Sequence, residues 1–210
     1  MTTPPKPLRK DARRNRELLV AAAREAFAEH GLDVALEEIA RRAGVSIGTL
    51  YNRFPDRASL VETVFADRVE TVQRFAEHAL SMDDPWAGFV YFLERVCEMQ
   101  AADRGYNDLV SRRVPQAAPA EGLQRGYELM TEIIARAQSS GALRADITLA
   151  DMAFLTWGTS RTVEATAEIN PNAWRRHLAL MLDGLRAEAA SPLRQPPLRP
   201  EEVAQALRHC

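Results

Sequence analysis

Apolar positions recur at helical spacing along most of the 210-residue chain, and no stretch alternates in the two-residue rhythm of a half-buried strand. Leu19, Ala22, Ala23, Ala26 and Phe27 predict a helix over 15–30, stopped by Gly31 in the left-handed C′ position with Leu32 folding back as its apolar contact. A short helix over 36–43 follows, with Leu36, Ile39, Ala40 and Ala43 on one face and Glu37, Glu38, Arg41 and Arg42 on the other. Gly44 then turns the chain. Ser46 is a good N-cap for the next helix, with Val45 and Leu50 in hydrophobic-staple positions. Phe54 precedes Pro55, which disfavours helical backbone and ends that helix. Asp56 caps a long helix running to about Leu80, stapled by Pro55 and Leu60. Further helices are predicted at 84–103, 104–113, 120–140, 148–167 and 171–189. Gly105, Pro115, Pro119, Gly141, Asn170-Pro171 and Pro192 supply the breaks. The tail over 191–200, with four prolines, reads as extended or disordered, and a short helix follows over 201–208. The chain therefore reads as all-α, without internal repeats.

Two short helices around a glycine turn could form any αα-hairpin. The third helix narrows the choice. Its exposed side carries Ile47, Gly48, Thr49, Asn52 and Arg53, with Tyr51 beside them, and no acid, whereas a merely solvated face usually mixes Glu and Lys. Close approach to the major groove asks for small residues at the N-terminal end and for donors aimed at bases and phosphates. Arg42 and Arg57 flank this helix on its neighbours, where they are expected to grip the duplex backbone.

The run Ile39-Ala40-Arg41-Arg42-Ala43-Gly44-Val45-Ser46-Ile47-Gly48-Thr49-Leu50-Tyr51-Asn52-Arg53-Phe54-Pro55 closely resembles the signature of the TetR family of bacterial transcriptional regulators. The Ala26-Phe27…Gly31 ending of the first helix and the Arg57…Leu60 opening of the long one resemble it too, so that the likeness covers about residues 14–65. It implies a three-helix DNA-binding domain followed by a helical ligand-binding and dimerisation domain. By the same resemblance Ser46 and Tyr51 are phosphate ligands, and Gly48 lets the helix approach. Thr49, Asn52 and Ile47 face bases, and Arg53 and Arg57 lie on the backbone or adjacent base edges. Two positions depart from the family. Ile47 stands where Lys is common, and Ala35 stands where a phosphate-binding Thr is usual, leaving only its backbone N–H.

Charge fits this division. The net charge of −2 hides an asymmetry: residues 1–60 hold 11 Lys/Arg and 8 Asp/Glu, residues 61–210 hold 16 and 21. Lys6, Arg9, Lys10, Arg13, Arg14 and Arg16 face only Asp11 in the first sixteen residues, which predicts a basic arm over 1–13; its Arg13 and the adjoining Arg14 are expected to restore affinity that Ile47 and Ala35 give up. The expected organisation is the arm, a DNA-binding domain over 14–65, an effector and dimerisation domain over 66–190, and the Pro-rich tail over 191–210. The longest stretch free of Asp, Glu, Lys and Arg has ten residues, so no membrane span is expected; nor is a secretory signal. Two cysteines, Cys97 and Cys210, make no disulfide framework, and a reduced cytoplasmic setting is the expectation.

In the C-terminal part, Trp174, Leu178, Met181, Leu182 and Leu185 form a clean helical stripe. With Ala153, Trp157, Gly158 and Ser160 on the preceding helix, it occupies the place through which TetR-like proteins form homodimers, and is assigned to that interface. The resemblance also implies a small-molecule effector among the middle helices, for which Phe89, Phe92, Met99, Tyr106, Leu109, Tyr127, Met130, Trp157 and Arg161 are the candidates. No metal-ligand, cofactor or nucleophile motif is found, and neither a cofactor nor catalysis is expected. The expected function is that of a regulator, most simply a repressor, of a palindromic double-stranded DNA operator. A helical dimer that binds a small molecule or protein without an operator is the alternative.

Overall fold

The computed structural model describes residues 7–112 and 120–206. The described residues form α1 (Pro7–His30), α2 (Leu36–Arg42), α3 (Ile47–Arg53), α4 (Arg57–Ser81), α5 (Pro85–Ala102), α6 (Arg104–Arg112), α7 (Ala120–Ser139), α8 (Leu149–Thr166), α9 (Ala173–Leu185) and α10 (Pro200–Ala206). The breaks at Pro115 and Pro119 and the residues beyond Ala206, Cys210 included, lie outside the described residues.

The largest departure from the periodicity is at the start. α1 begins at Pro7, eight residues before the expected helix. Periodicity marks only the part of a helix that has something to pack against, and the added turns have no apolar stripe. Pro at the first helical position followed by Leu, Arg, Lys and Ala still favours helix. The described part of the basic arm, with Arg13 and the adjoining Arg14, is therefore an exposed stretch of helix.

Two cores divide the fold. One joins α1, α2, α3 and the first half of α4 around Leu19, Phe27, Ile39, Leu50, Phe54 and Leu60. The other joins the rest of α4 with α5, α7, α8 and α9 around Phe89, Leu93, Ile133, Trp174 and Leu178. Val72 and Phe75 of α4 pack against both, so α4 is a rod common to the two.

α6 belongs to the first core as much as to the second. Tyr106 lies 6.1 Å from the Phe65 ring, which in turn stacks on Phe27 at 6.1 Å. α6 approaches α1 so closely that a Cβ on Gly105 would lie 2.7 Å from Phe27 Cβ and 2.9 Å from its carbonyl oxygen. The α5–α6 corner is held by Asp103, whose carboxylate accepts from Tyr106 N–H at 3.0 Å and from Arg68 Nη2 at 2.8 Å.

Elsewhere single arginines close helix ends. Arg136 of α7 donates to the carbonyls of Ala79 (3.3 Å), Leu80 (2.8 Å) and Met82 at the C-terminus of α4. Arg144 binds Asp146 at 2.7 Å and the Ser191 carbonyl at 2.6 Å, fastening the start of the Pro-rich tail. The tail is extended as expected and re-enters helix at Pro200, where α10 buries Val203.

Candidate nucleic-acid interface

The reading head is built from a turn and a cap. Gly44 (φ 68°) leaves α2 in the left-handed conformation, and Val45 N–H donates back to Ala40 O at 3.0 Å, closing the turn. Ser46 Oγ accepts from Thr49 N–H at 3.2 Å and shares a 2.9 Å hydrogen bond with Thr49 Oγ1. Those two hydroxyls carry two hydrogens, of which their mutual bond uses one, so one donor remains for an outside acceptor. Leu50 and Phe54 lock the inner face of α3 into the core, being 0% and 2% exposed. The outer face presents Gly48, Tyr51, Asn52 and Arg53, all exposed. Ile47 and Thr49 are half-buried, and Ile47 packs against the reading-head core, so only part of its side chain is offered outward. Ala35 is the exposed N-cap of α2 and offers no side-chain cap.

The flanking arginines depart from expectation. Arg42 does not reach out as a free cation. Its Nε donates to Glu38 Oε1 at 2.9 Å and its Nη1 to Glu29 Oε2 at 2.8 Å. Arg41 adds bonds of 2.8 and 2.6 Å to Glu38. Hydrogen bonds from Arg41 and then Arg42 hold the Glu38 carboxyl well below the usual range, at about 2. Arg57 is turned inward as well: Nη1 donates to Leu32 O at 2.6 Å and Val34 O at 2.8 Å. It clamps the α1–α2 loop, because the loop's carbonyls sit beside the start of α4 and need a donor. Arg13 pairs with Glu17 at 3.0 Å on the surface of α1, while Arg14 and Arg53 are exposed.

Sequence reasoning missed three groups here. Arg16 stacks 5.3 Å over the Phe54 ring and donates to Thr63 Oγ1 at 3.1 Å, tying α1 to α3 and α4. Arg24 donates to Val64 O at 3.0 Å. Asp108, from α6, accepts from Leu32 N–H at 3.0 Å, so the loop clamped by Arg57 is also held from the helical body. All three pairings span at least 38 residues of sequence and leave no local signal.

The other assigned residues scatter. Trp174, Leu178, Leu182 and Leu185 are 1–9% exposed and form part of the chain's own second core, so they cannot be a dimer surface. Of that stripe only Met181 (40%) is exposed, next to Leu180 (57%). Among the effector candidates, Phe89, Phe92 and Met130 are buried in the second core. Met99 and Tyr106, with Leu109 beside them, pack on the reading-head core instead, which places them at the junction with α1 and α4. Trp157 is half-buried, Tyr127 is 40% exposed, and Arg161 is a surface residue paired with Glu164 at 2.5 Å. A groove of about 570 Å³ lies at none of these side chains but between Asp146, Asp151 and the tail over 193–197.

Residues 19–64 match the family described as "Bacterial regulatory proteins, tetR family", and residues 84–187 match the "Transcriptional regulator SbtR-like, C-terminal domain". An HTH-type transcriptional regulator of Mycobacterium bovis is 30% identical over 132 residues, covering 60% of this chain and 68% of the relative. The crystal structure of a TetR transcriptional regulator from Streptomyces coelicolor is 31% identical, with TM-score 0.53, covering 81% of this chain and 98% of that one. FadR from Bacillus subtilis in complex with stearoyl-CoA shares the fold at 20% identity and TM-score 0.59, over 80% of this chain and 98% of that one. A capped reading helix with an acid-free outer face and both halves of one family's architecture lead to one conclusion: the chain belongs to the TetR family of bacterial transcriptional regulators, which bind DNA through a helix-turn-helix of this kind.

Proposed function

We propose that the protein acts in the cytoplasm as a homodimeric repressor whose two α3 helices enter successive major grooves of a palindromic operator, and that a small-molecule effector releases it. The observation that carries this reading is the outer face of α3: Gly48, Tyr51, Asn52 and Arg53 exposed without one acid, on a helix fixed by the Ser46 cap and the buried Leu50 and Phe54. In this docking Ser46 and Tyr51 take phosphates, Thr49, Asn52 and the outer edge of Ile47 face bases, and Arg53 and Arg14 supply charge to the backbone. Ala35 offers its N–H. A dimer places the helices about 34–36 Å apart, and Leu180 and Met181 on α9 are unpartnered apolar groups suited to a symmetric contact. The division at residues 14–65 and 66–190 separates reading head from effector body. FadR, a fold neighbour, holds stearoyl-CoA, which supports a small-molecule effector in the body of this fold and leaves its chemistry open.

Selection of bound duplexes from a random pool tests the reading, and a two-fold symmetric consensus is the expected result. Met181→Arg should sediment as a monomer with unchanged secondary structure and lose most operator affinity. Failure to enrich any sequence would instead leave a helical dimer that binds a small molecule or protein without an operator. Full affinity in a monomeric variant would refute the symmetric docking.

A further inference from the structure

Gln100 lies on α5 with 0% exposure, and neither its Nε2 nor its Oε1 has a hydrogen-bond partner. Among the described residues these are the buried side-chain polar atoms left unsatisfied. The surrounding interior is polar but well paired. Asn107 Nδ2 donates to Ser160 O at 3.3 Å, and Ser160 Oγ donates to Asn107 Oδ1 at 2.8 Å. Thr159 Oγ1 donates to Leu155 O at 2.9 Å, and Asp103 is matched by Arg68. A carboxamide that can donate twice and accept through oxygen is thus left alone where its neighbours are satisfied. Leaving such groups unpaired in the interior is costly, and an apolar side chain of similar volume would avoid that cost.

The place is specific. Gln100 follows Val96 and Cys97 by one turn and shares their inward face, at the end of α5 that packs against α6 and α8. On α8 the buried Thr159 and Ser160 approach the same region, the former hydrogen-bonding the Cys97 thiol. Burial pushes that thiol up to about 12, so it stays neutral. The buried acidic side chains there, Asp103 with Arg68 and Asp108 with Leu32 N–H, are already engaged. A charged ligand would find no uncommitted counter-ion among these groups and would lose its hydration. A neutral one would find a carboxamide ready for both a donor and an acceptor.

We propose that Gln100 is the polar anchor of the effector site, and that it takes a small uncharged molecule with an apolar body and one hydroxyl or amide group. This rests on the reading of the chain as an effector-released regulator. Binding spreads α5, α6 and α8 around the ligand, so the ligand selects the more open arrangement.

The test uses the full chain, without DNA, and reads thermal unfolding. Gln100→Met and Gln100→Leu remove the unsatisfied groups, and each is expected to melt about 2–6 °C above the native protein when no ligand is present. Phenol and benzamide are the neutral probes, with toluene and benzoate as the apolar and charged controls of similar size. At tenfold excess over Kd, phenol or benzamide should raise the native Tm by about 3 °C and leave both variants unmoved, while toluene and benzoate leave all three unmoved. Variants that melt below the native protein would make Gln100 structural and overturn the proposal. Variants that melt higher while neither probe shifts the native protein would mean that water alone fills the site, which also overturns it. An equal shift with benzoate would overturn the ligand class. Since no readout involves DNA, failure here is distinct from failure of operator selection.

Discussion

Arg57 separates two accounts of the reading head. As a phosphate contact it would contribute affinity; as the clamp on Leu32 O and Val34 O, at 2.6 and 2.8 Å, it contributes fold stability. Hydrogen bonds from a charged donor are worth about 1.5–3 kcal/mol each. Both of these leave one nitrogen of a partly buried side chain, so water can replace part of the loss, and Arg57→Ala should cost about 3 kcal/mol in total. For a chain of this size that lowers Tm by about 6–12 °C. Arg57→Lys keeps the charge but not the planar fork and should recover only part of the loss. Circular dichroism melts measure this, and anisotropy titrations of the selected operator between low and physiological salt measure the other account. Losing a phosphate contact in each protomer of the dimer would flatten the slope of log K against log salt by about 1.8, whereas losing the clamp leaves it unchanged at temperatures where the variant is folded. An Arg57→Ala protein with native Tm and a salt slope two contacts flatter, one from each protomer, would refute the clamp.

Two further perturbations probe the same head. The Glu38 carboxyl is held at about 2 against an ordinary 4.5. A depressed folded-state value gives stability that is fully present above pH 4.5 and lost as pH falls toward about 2, so the Tm advantage of the native protein over Glu38→Gln should close across that window. An advantage unchanged down to about pH 2 would exclude the Arg41–Glu38–Arg42 network as its source. Gly105→Ala places a Cβ 2.7 Å from Phe27 Cβ and must push α6 off α1. It should cost about 2 kcal/mol, seen as a Tm lower by about 4–8 °C, and a native Tm would show that α6 yields freely.

What could be read from the sequence follows from which interactions are local. The Ser46 cap, the Gly44 turn and the Phe54-Pro55 stop each involve groups within five residues, so the helix-turn-helix was legible almost atom by atom. The Glu38–Arg42 pair is also local, at i,i+4 spacing, a signal that the reading of Arg42 as a backbone contact passed over. Arg57 gave no such cue, since its partners lie 23 and 25 residues away. Amphipathic stripes show which face of a helix is buried but not what covers it. That is why Trp174, Leu178, Leu182 and Leu185, a faultless stripe, suggested a partner chain and turned out to face their own core. The same limit moved Met99 and Tyr106 from the effector body to the reading head. Gln100 was not singled out in the sequence, where Glu94, Arg95 and Glu98 share its helix, because its isolation is a three-dimensional fact.

The packing also constrains how any signal travels. A boundary drawn near residue 65 falls within α4, whose Val72 and Phe75 touch both cores, so the two halves are not joined by a loose linker. α6 crosses the same boundary in space: Asn107 bonds Ser160 of α8 on one side, and the next residue, Asp108, bonds Leu32 N–H in the reading head on the other. A rigid helix that holds adjacent contacts to both halves cannot shift on one side without straining the other. Phe27 against Gly105 removes the slack that would let α6 slide along α1. A ligand that parts α5, α6 and α8 therefore has two routes to α3, one along α4 and one through the Asp108–Leu32 bond. The second ends on the loop that Arg57 clamps to α4, where both routes meet.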